Sequence, residues 1–424
     1  MKKLLLFVAL PLFFLGCGGN DGESKKTPKI VKGKFHTSEI TFNNPRYITT
    51  KSGQPITGSA YGDGVNFELK NGKLHGKYQV FEGDRIVDYH FSNGEEDGKW
   101  IVYENGIMKS EEHYVKGRKS GKKKEWIDGV LVSEGNYKNG QLHGTSYKWD
   151  GSLKNLLEIR NYKNGFLNGV QINLSSKGDT LGIADLKNGT GEFRYKSEGQ
   201  YSEYEYIQNY INGKLYGTST TLKDGKILFE SNYKDNKLEG AQTRYDEGGR
   251  TEYTKLYKNG IPNGAYIEYY ASSGHTKVEG VYKNGRKHGK WKSYDDDDEL
   301  IEETNYSNGY LHGKHKKWKN DWMNDDLYLA LEENYNNGLK NGVSKEWENY
   351  PNRYLSSEKM FVNGQLEGKV KKWDNSDKLT LEENYKDGKL QGMSKIWDNE
   401  GVLISENEYD KGKLIRVIIS NTED

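Results

Sequence analysis

The stretch Glu383–Gly401 reads ENYKDGKLQGMSKIWDNEG, and Asn136–Gly151, far earlier in the chain, reads NYKNGQLHGTSYKWDG. Both segments place a tyrosine, an Asn-Gly or Asp-Gly pair, a second glycine and a tryptophan at the same offsets. Similarity at a fixed spacing within one chain is the mark of a repeat architecture. We therefore expect the chain to consist of many copies of one short unit.

The copies are counted from a turn signature in which a first glycine is followed four residues later by a second glycine. Asn236 takes the place of the first glycine in one copy, Gly189 opens a degenerate copy, and Gly412 begins a last copy that lacks its second glycine. This gives fifteen starts, mostly 22 to 26 residues apart, and a looser copy at Ser52–Gly58 is a candidate N-terminal cap. The other starts are at Gly72, Gly94, Gly117, Gly140, Gly165, Gly213, Gly260, Gly285, Gly309, Gly338, Gly364 and Gly388.

Two aromatic columns accompany the turns. A Tyr or Phe stands three residues before most first glycines (the Tyr column), and a Trp, Tyr or Phe stands five residues after most second glycines (the Trp column). An Asn-Gly pair between such runs predicts a β-hairpin with a two-residue type I′ turn, which places Tyr137 opposite Leu142. Strict alternation puts Trp149 on the other face, whereas a bulge at the second glycine would reverse this, and the sequence leaves both open.

The composition predicts a thin fold. Only 33% of the 424 residues are hydrophobic, which is too little for a thick aliphatic core, while 51 glycines and 32 tyrosines are present. A disordered chain would have fewer aromatics and more net charge than the 12% and +1 found here. The near-neutral charge also argues against a strongly basic nucleic-acid surface.

The N-terminus predicts a lipid anchor. Lys2 and Lys3 precede an apolar run that is too short to span a bilayer comfortably and that ends before Cys17, the single cysteine. This segment resembles a bacterial lipobox, although Phe14 stands where Leu is more usual, and an ordinary signal peptide with an incidental cysteine is the alternative. We expect a lipoprotein signal peptide over 1–16, the lipidated Cys17 with a flexible tether over 17–45, and the repeat domain over 46–424. The absence of Asp after Cys17 favours the outer membrane of a bacterial cell envelope over the inner membrane.

The repeat pattern is similar to the MORN repeat, on the strength of NGKLHG at Asn71–Gly76 and its later copies NGQLHG, NGRKHG and NGYLHG. The resemblance covers residues 50–416, and the Glu-x-Tyr segments resemble divergent bacterial variants known as YwqK-family antitoxins. It implies an all-β fold, an elongated single-layer antiparallel sheet of about fifteen stacked hairpins that extends on the order of 140 Å.

Three sets of side chains are candidates for function. His75, His143, His288 and His312 recur at one turn position, but copies roughly 10 Å apart cannot share one zinc ion, so we expect a turn role and no metal. An aromatic platform is considered for Trp318, Trp347, Trp373 and Trp397, although packing glue is the stronger expectation. The connections between copies should lie on one edge, and we consider there a partner-binding surface formed by Asp295, Asp296, Asp297, Asp298, Trp322, Asp325, Asp326 and Tyr350, with neutral loop expansion as the alternative.

No enzyme motif is present, so we expect no catalytic residue and no cofactor. The sequence is interpreted as a cell-envelope lipoprotein that acts as a repeat scaffold or protein-binding surface. An antitoxin-like or immunity protein that neutralises a toxin by binding is one alternative, and a glycan-binding surface along the Trp column is another. The expected partner is a protein, with membrane contact through the lipid and no nucleic acid.

Overall fold

The computed structural model describes residues 29–44, 47–152, 154–198, 202–321, 326–350 and 352–420. The predicted signal peptide, Cys17, Trp322 and Asp325 lie outside these ranges. The chain divides into two units, which we call unit 1 (residues 1–198 with 210–214) and unit 2 (residues 199–209 with 215–424). Each unit consists of β-hairpins in chain order, so the predicted all-β fold of stacked hairpins is confirmed.

In unit 1, β1 pairs in parallel with β4, and β4 to β19 pair antiparallel with their neighbours in chain order to give one sheet. One 3-10 turn is present at Thr37–Glu39. The strands are β1 Val31–His36, β2 Ile40–Asn44, β3 Tyr47–Thr50, β4 Ile56–Gly62, β5 Val65–Lys70, β6 Lys73–Glu82, β7 Arg85–Ser92, β8 Glu95–Glu96, β9 Gly98–Glu104, β10 Ile107–Val115, β11 Arg118–Lys119, β12 Gly121–Ile127, β13 Val130–Lys138, β14 Gln141–Leu142, β15 Gly144–Trp149, β16 Leu156–Lys163, β17 Phe166–Leu167, β18 Gly169–Leu174, β19 Thr180–Leu186 and β20 Gly191–Glu198.

Two of the boundaries between the units lie inside strands. One is within β21 Glu203–Ile211, and the other is between the two residues of β22 Lys214–Leu215. In unit 2 the strands that follow form one antiparallel sheet. They are β23 Gly217–Lys223, β24 Lys226–Lys234, β25 Lys237–Tyr245, β26 Thr251–Lys258, β27 Ile261–Tyr269, β28 Thr276–Lys283, β29 Arg286–Tyr294, β30 Leu300–Ser307, β31 Tyr310–Asp321, β32 Asp326–Asn336, β33 Leu339–Lys340, β34 Gly342–Glu348, β35 Tyr354–Val362, β36 Gln365–Trp373, β37 Leu379–Lys386, β38 Lys389–Leu390, β39 Gly392–Trp397, β40 Leu403–Asp410 and β41 Lys413–Ser420.

The hairpin turns have the predicted two-residue geometry. Asn139 and Gly140 have φ of 52° and 85°, the left-handed values that a type I′ turn requires at both central positions. As a result Tyr137 pairs directly with Leu142. Asn, Asp or Lys supplies the first turn residue in the other copies, and glycine supplies the second because it tolerates positive φ without strain, except in the copy where Asn236 takes this place with φ of 66°.

In several copies a bulge follows the hairpin turn at the second glycine. In one hairpin the pairing runs Tyr233 with Leu238 and then Ser231 with Gln242, so the second strand has two extra residues. The residue before the Tyr column bridges this bulge, because its side chain bonds a backbone carbonyl nine residues later. Asn is used for Asn136–Thr145 (2.6 Å), Asn209–Thr218 (2.8 Å), Asn232–Ala241 (2.9 Å), Asn305–Lys314 (2.8 Å) and Asn334–Val343 (2.9 Å), and histidine for His90–Lys99 and His113–Lys122 (both 3.1 Å).

The size of this bulge decides the face of the Trp column. Two extra residues leave the alternation of side chains unchanged, so Trp149 lies on the face opposite Tyr137. Ring contacts agree with this assignment. Tyr282, in the Tyr column, touches Trp291, which stands two residues after its second glycine, and the two ring centroids are 5.1 Å apart, so both rings lie on the same face. The Trp-column position is three residues after Trp291, an odd number, and therefore lies on the opposite face. We call the two sides the Tyr face and the Trp face.

The N-terminal end of the sheet has a small apolar core. Ile40, Ile48 and Ile56 are buried with Phe67 and Leu69, and the partly buried Phe35 packs against them. Strands β1 and β2 lie inside the stretch predicted to be a tether, so the predicted domain boundary at residue 46 is too late. The few apolar residues of this segment form the cap of the sheet and therefore show no repeat periodicity.

Candidate functional site

The turn edge, formed by the hairpin turns, is bonded from copy to copy. The amide of each turn glycine donates to a carbonyl of the preceding copy, as in Gly94 to Leu74 (2.7 Å), Gly309 to Lys287 (2.9 Å) and Gly388 to Leu366 (3.0 Å). The residue before the second glycine often accepts from the next turn: Glu239 Oε2 is 2.7 Å from the Asn259 amide. The backbone amides of these turns are therefore already used in hydrogen bonds between copies.

The histidine column belongs to the same edge. His75 Nδ1 lies 3.4 Å from the amide of Asn93, and His143 Nδ1 lies 3.4 Å from the amide of Asn164. Both histidines therefore contact the turn of the next copy. Among the residues described, no group of three or more His, Cys, Asp or Glu side chains is arranged to hold a metal ion.

The loop edge of unit 2, formed by the connections between copies, consists of loops that an aspartate caps. Asp295 Oδ1 accepts from the amides of Asp297 (3.1 Å) and Glu299 (2.9 Å). Asp374 does the same for Ser376 and Lys378, each at 2.9 Å. These carboxylates hold their own loops because Asp readily forms such local turns. Asp246 and Asp398 occupy the same position and make equivalent bonds.

Neighbouring loops of this edge are also linked. Asp296 accepts from the Ser272 and Ser273 hydroxyls of the preceding loop, both at 2.5 Å, and these bonds lower the pKa of its carboxyl group. Lys378 Nζ donates to the Asn399 carbonyl at 2.7 Å. Hydrogen bonds therefore link these loops to their neighbours along the edge.

The remaining candidate binding residues that the structure describes lie on three connections between strands, those of β29 with β30, β31 with β32 and β34 with β35. The Arg353 guanidinium contacts the buried Asp321 at 3.1 Å and also Asp326. Tyr350 is 65% exposed. Asp297 and Asp298 are exposed on the loop between β29 and β30. The predicted acidic and aromatic residues that the structure describes thus fall on the loop edge of unit 2, although they are spread over several loops.

The Trp face combines half-buried aromatics with charge pairs. Trp318, Trp347, Trp373 and Trp397 are all half-buried, and each pairs across to a leucine on the next strand. Beside them, lysines from one strand hold a glutamate from the next: Glu332 lies 2.9 Å from Lys314 and 3.2 Å from Lys316. The lysine bonds, set against burial, lower the pKa of Glu332. The tryptophans therefore contribute packing to the sheet.

The Tyr face has a third set of side chains that the sequence analysis missed. It consists of the residues two positions after each second glycine and the residues opposite them, two positions before the Tyr column, and we call it the central row. In unit 1 it runs through Phe67, Tyr78, Tyr89, Trp100, Glu112, Lys123, Gly135, Ser146, Arg160 and Gln171. In unit 2 it includes Lys255, Tyr266, Gly280, Trp291, Thr304, His315, Glu333, Ser344, Lys359 and Val370.

Charged groups are buried along the central row. Glu333 is 4% exposed and accepts from the Tyr335 hydroxyl at 2.7 Å and from Lys340. Burial raises the pKa of Glu333, but these two hydrogen bonds outweigh it and hold that pKa below the usual range. His315 Nε2 is hydrogen-bonded to Glu302 at 2.7 Å, and its buried Nδ1 lies 3.5 Å from Glu333 without a hydrogen bond. The contacts of Glu333 with Lys340 and of His315 with Glu302 thus link β32 to β33 and β31 to β30.

In the part of the chain that the structure describes, no helix has the length and apolar character needed to cross a membrane.

Comparison with known proteins identifies the repeat. Residues 287–308 and 366–387 match the family model described as "MORN repeat variant". The search of curated proteins gives no match. Two solved structures are similar at low identity: "Crystal Structure of TcdB2-TccC3-Cdc42" (7% identity, 87% of this chain, 25% of that chain, TM-score 0.16) and "Crystal Structure of TcdB2-TccC3-TEV" (12%, 82%, 22% and 0.14). The chain thus spans about a quarter of their length, and TM-scores this low say nothing about function. The stacked hairpins and the two matched segments together make this chain MORN-repeat-like.

Proposed function

We propose that this protein is a non-catalytic repeat scaffold of the cell envelope that binds a partner protein along the loop edge of unit 2. The observation that carries the proposal is the preorganisation of that edge. Its aspartate caps hold each loop, and bonds between neighbouring loops hold the loops together. Binding to such a surface costs less ordering entropy than binding to free loops, so ordinary contacts suffice for affinity.

The chemistry of the loop edge favours a basic partner. The capping carboxylates face their own loops, but Asp297, Asp298 and Asp377 are exposed. Tyr350, also exposed, adds an aromatic group of the kind that anchors protein interfaces. Complementary charge of this type sets partner choice and association rate.

A matched pair of double variants tests the proposal. Asp298→Asn with Asp377→Asn removes two charges from the loop edge at residues with φ of 68° and 59°, a conformation that asparagine tolerates. The control, Asp235→Asn with Asp387→Asn, removes two charges from the turn edge at φ of 53° and 50°. Both variants should fold like the parent. Proteins cross-linked to the parent chain in native membranes should be depleted with the loop-edge variant and retained with the control, whereas equal recovery with both variants would refute the loop edge.

We also propose that Cys17 carries a lipid that anchors the scaffold in the envelope. Only the N-terminal sequence supports this, because these residues lie outside the described ranges. Cys17→Ser should move the chain from the membrane fraction to the soluble or unprocessed fraction. A serine variant that is processed normally and stays in the membrane would contradict the anchor.

The two alternatives make different predictions. An antitoxin-like protein would yield one dominant partner whose toxicity rises when the scaffold is deleted. A glycan-binding protein would retain envelope polysaccharide, and Trp347→Leu would reduce that retention without changing the proteins captured. The half-buried state of the Trp column and its leucine partners support packing over glycan binding.

A further inference from the structure

The Asn-Gly pairs of this chain have a chemical reactivity that is separate from their role as turns. In such a pair the backbone nitrogen of the glycine can attack the side-chain amide of the asparagine, because glycine has no Cβ that obstructs the approach. The attack closes a five-membered succinimide ring, which water opens to aspartate or isoaspartate. Every Asn-Gly pair of the chain lies within the described residues, so the surroundings of all of them can be compared.

Most of the pairs lie on the turn edge, where the glycine nitrogen is already engaged. In each turn-edge Asn-Gly pair the N–H of the glycine donates to a backbone carbonyl, as in Gly94 to Leu74 (2.7 Å) and Gly364 to Lys340 (2.8 Å). This hydrogen bond must break before the nitrogen can lose its proton and turn toward the side chain. The hydrogen bonds between copies therefore protect these pairs from the reaction.

Three other pairs occupy the second-glycine position, and their glycines lie in strands. Gly169, Gly264 and Gly342 belong to β18, β27 and β34, and each pairs with a residue of the following strand. Both residues of each of these pairs are half-buried. Strand pairing and burial restrain the backbone there, so we expect these pairs to be protected as well.

Asn105-Gly106 differs from all of these pairs. It forms the two-residue turn between β9 and β10, at a connection between copies, with φ of 52° and 74°. The Asn105 amide donates to the Asp84 carbonyl at 2.9 Å, but the Gly106 amide has no hydrogen-bond partner among the described residues. Both residues are exposed, and a Cβ added at Gly106 would have no atom within 4 Å. The nucleophilic nitrogen of this pair is therefore free and accessible.

We propose that Asn105 is a site of spontaneous deamidation, at which asparagine is converted to isoaspartate or aspartate while the other Asn-Gly pairs of the folded chain persist. The Gly106 nitrogen loses its proton and forms a bond with Cγ of Asn105. The bond between Cγ and Nδ2 breaks, and the side-chain nitrogen leaves as ammonia with that proton. Water then adds to one of the two ring carbonyls and opens the ring, so the reaction needs no oxidant or cofactor.

The product changes both the charge and the geometry of the connection between β9 and β10. It adds a carboxylate beside Glu104, where Lys109 Nζ lies 3.9 Å from Glu104 and 3.7 Å from Asp128. Isoaspartate also adds one methylene to the backbone of a two-residue turn that holds Glu104 opposite Ile107. The reaction thus alters unit 1, whereas the proposed binding edge lies in unit 2, so either proposal can fail without the other.

The test stores the full chain in mildly alkaline buffer, folded or unfolded in urea, and follows each Asn-Gly pair by peptide mapping with mass spectrometry. In the folded chain Asn105 should react at least about tenfold faster than any other pair, and that ratio corresponds to about 1.4 kcal/mol, the scale of one hydrogen bond. In urea the pairs should react at similar rates, because unfolding removes the hydrogen bonds. Equal rates in the folded chain, or a preference for Asn105 that persists in urea, would overturn the proposal.

Two variants place a new Asn-Gly pair in each kind of turn. Asp224→Asn creates one at a connection between copies, where the Asp224 amide donates to the Glu203 carbonyl at 2.9 Å and the Gly225 amide has no partner among the described residues. Asp387→Asn creates one on the turn edge, where the Gly388 amide donates to the Leu366 carbonyl at 3.0 Å.

Both replaced aspartates are exposed and have φ of 51° and 50°, which asparagine tolerates, so both variants should fold like the parent. The pair created by Asp224→Asn should react at a rate similar to that of Asn105, and the pair created by Asp387→Asn as slowly as the other turn-edge pairs. Equal rates at the two new pairs would show that bonding of the glycine amide does not control the reaction, and would overturn the proposal.

Discussion

The asparagine that bridges each bulge can be tested at Asn334, whose Nδ2 donates to the Val343 carbonyl at 2.9 Å. Asn334→Ala removes one hydrogen bond at a half-buried position. A typical protein hydrogen bond contributes about 1 kcal/mol net, and a carbonyl left unpaired in a bulge can add about 1 kcal/mol more. We therefore expect the free energy of unfolding of unit 2 to fall by about 1 to 2 kcal/mol.

Two histidines of unit 1 indicate which substitution at Asn334 should restore the lost hydrogen bond. His90 and His113 occupy the same column in unit 1 and reach the equivalent carbonyls at 3.1 Å. Asn334→His should therefore recover most of the loss, whereas Asn334→Asp, which has no N–H to donate, should be at least as destabilising as alanine. Urea denaturation followed by circular dichroism measures all three. An alanine variant as stable as the parent, or a histidine variant no better than alanine, would refute the bridging role.

Two further predictions follow from backbone geometry and from tyrosine burial. Gly213→Ala should destabilise the protein at least twice as much as Gly225→Ala. Both residues have positive φ, which costs about 1 to 2 kcal/mol for alanine. However, a Cβ at Gly213 would lie 2.5 Å from the Leu167 carbonyl oxygen, whereas a Cβ at Gly225 would have no atom within 4 Å. Equal melting temperatures for the two variants would contradict the copy-to-copy contact at the turn edge. Burial raises the pKa of Tyr385 and Tyr210 to about 12, from an ordinary 10.0, so the fold favours the neutral phenols. Their contribution to stability is complete below pH 10 and is lost as the pH rises from 10 to 12. The part of the phenolate absorbance at 295 nm that is removed by Tyr385→Phe with Tyr210→Phe should therefore rise only above pH 10, together with loss of circular dichroism, and a difference signal that rises near pH 10 with an intact fold would contradict the burial.

The sequence was sufficient to predict the hairpins because their signals are local. Asn139-Gly140 needs only its own φ values to fix a two-residue turn, and that turn fixes the pairing of Tyr137 with Leu142. The face of the Trp column could not be predicted in this way. It depends on whether the bulge adds one residue or two, and the second glycine is compatible with either.

The central row was missed for a different reason. Its members share a position but no chemistry, since Trp291, Ser344 and Val370 occupy equivalent sites. A search for a recurring residue type finds the uniform Tyr column but does not find the central row. The central row could have been found only from its constant position in the sequence, two residues after each second glycine.

The loop edge was predicted as a location, but its internal bonding was not. An aspartate follows the Trp column directly in several copies, as in Tyr245-Asp246, Tyr294-Asp295 and Trp397-Asp398. That regular spacing indicates a structural cap, and the structure shows Asp295 in that role. Within the acidic run, the charges therefore divide between loop capping, the loop-to-loop bonds of Asp296 and exposure to solvent.

Hydrogen–deuterium exchange of the chain with its captured partner tests the proposed binding edge most directly. The turn-edge amides, such as Gly309 and Gly388, are already bonded within the sheet and should exchange equally with and without the partner. The amides of the loops at 295–299 and 374–378 should gain protection on binding. Protection that appears at the turns or along the Tyr face, with the loops unchanged, would contradict the assignment of the loop edge as the binding surface.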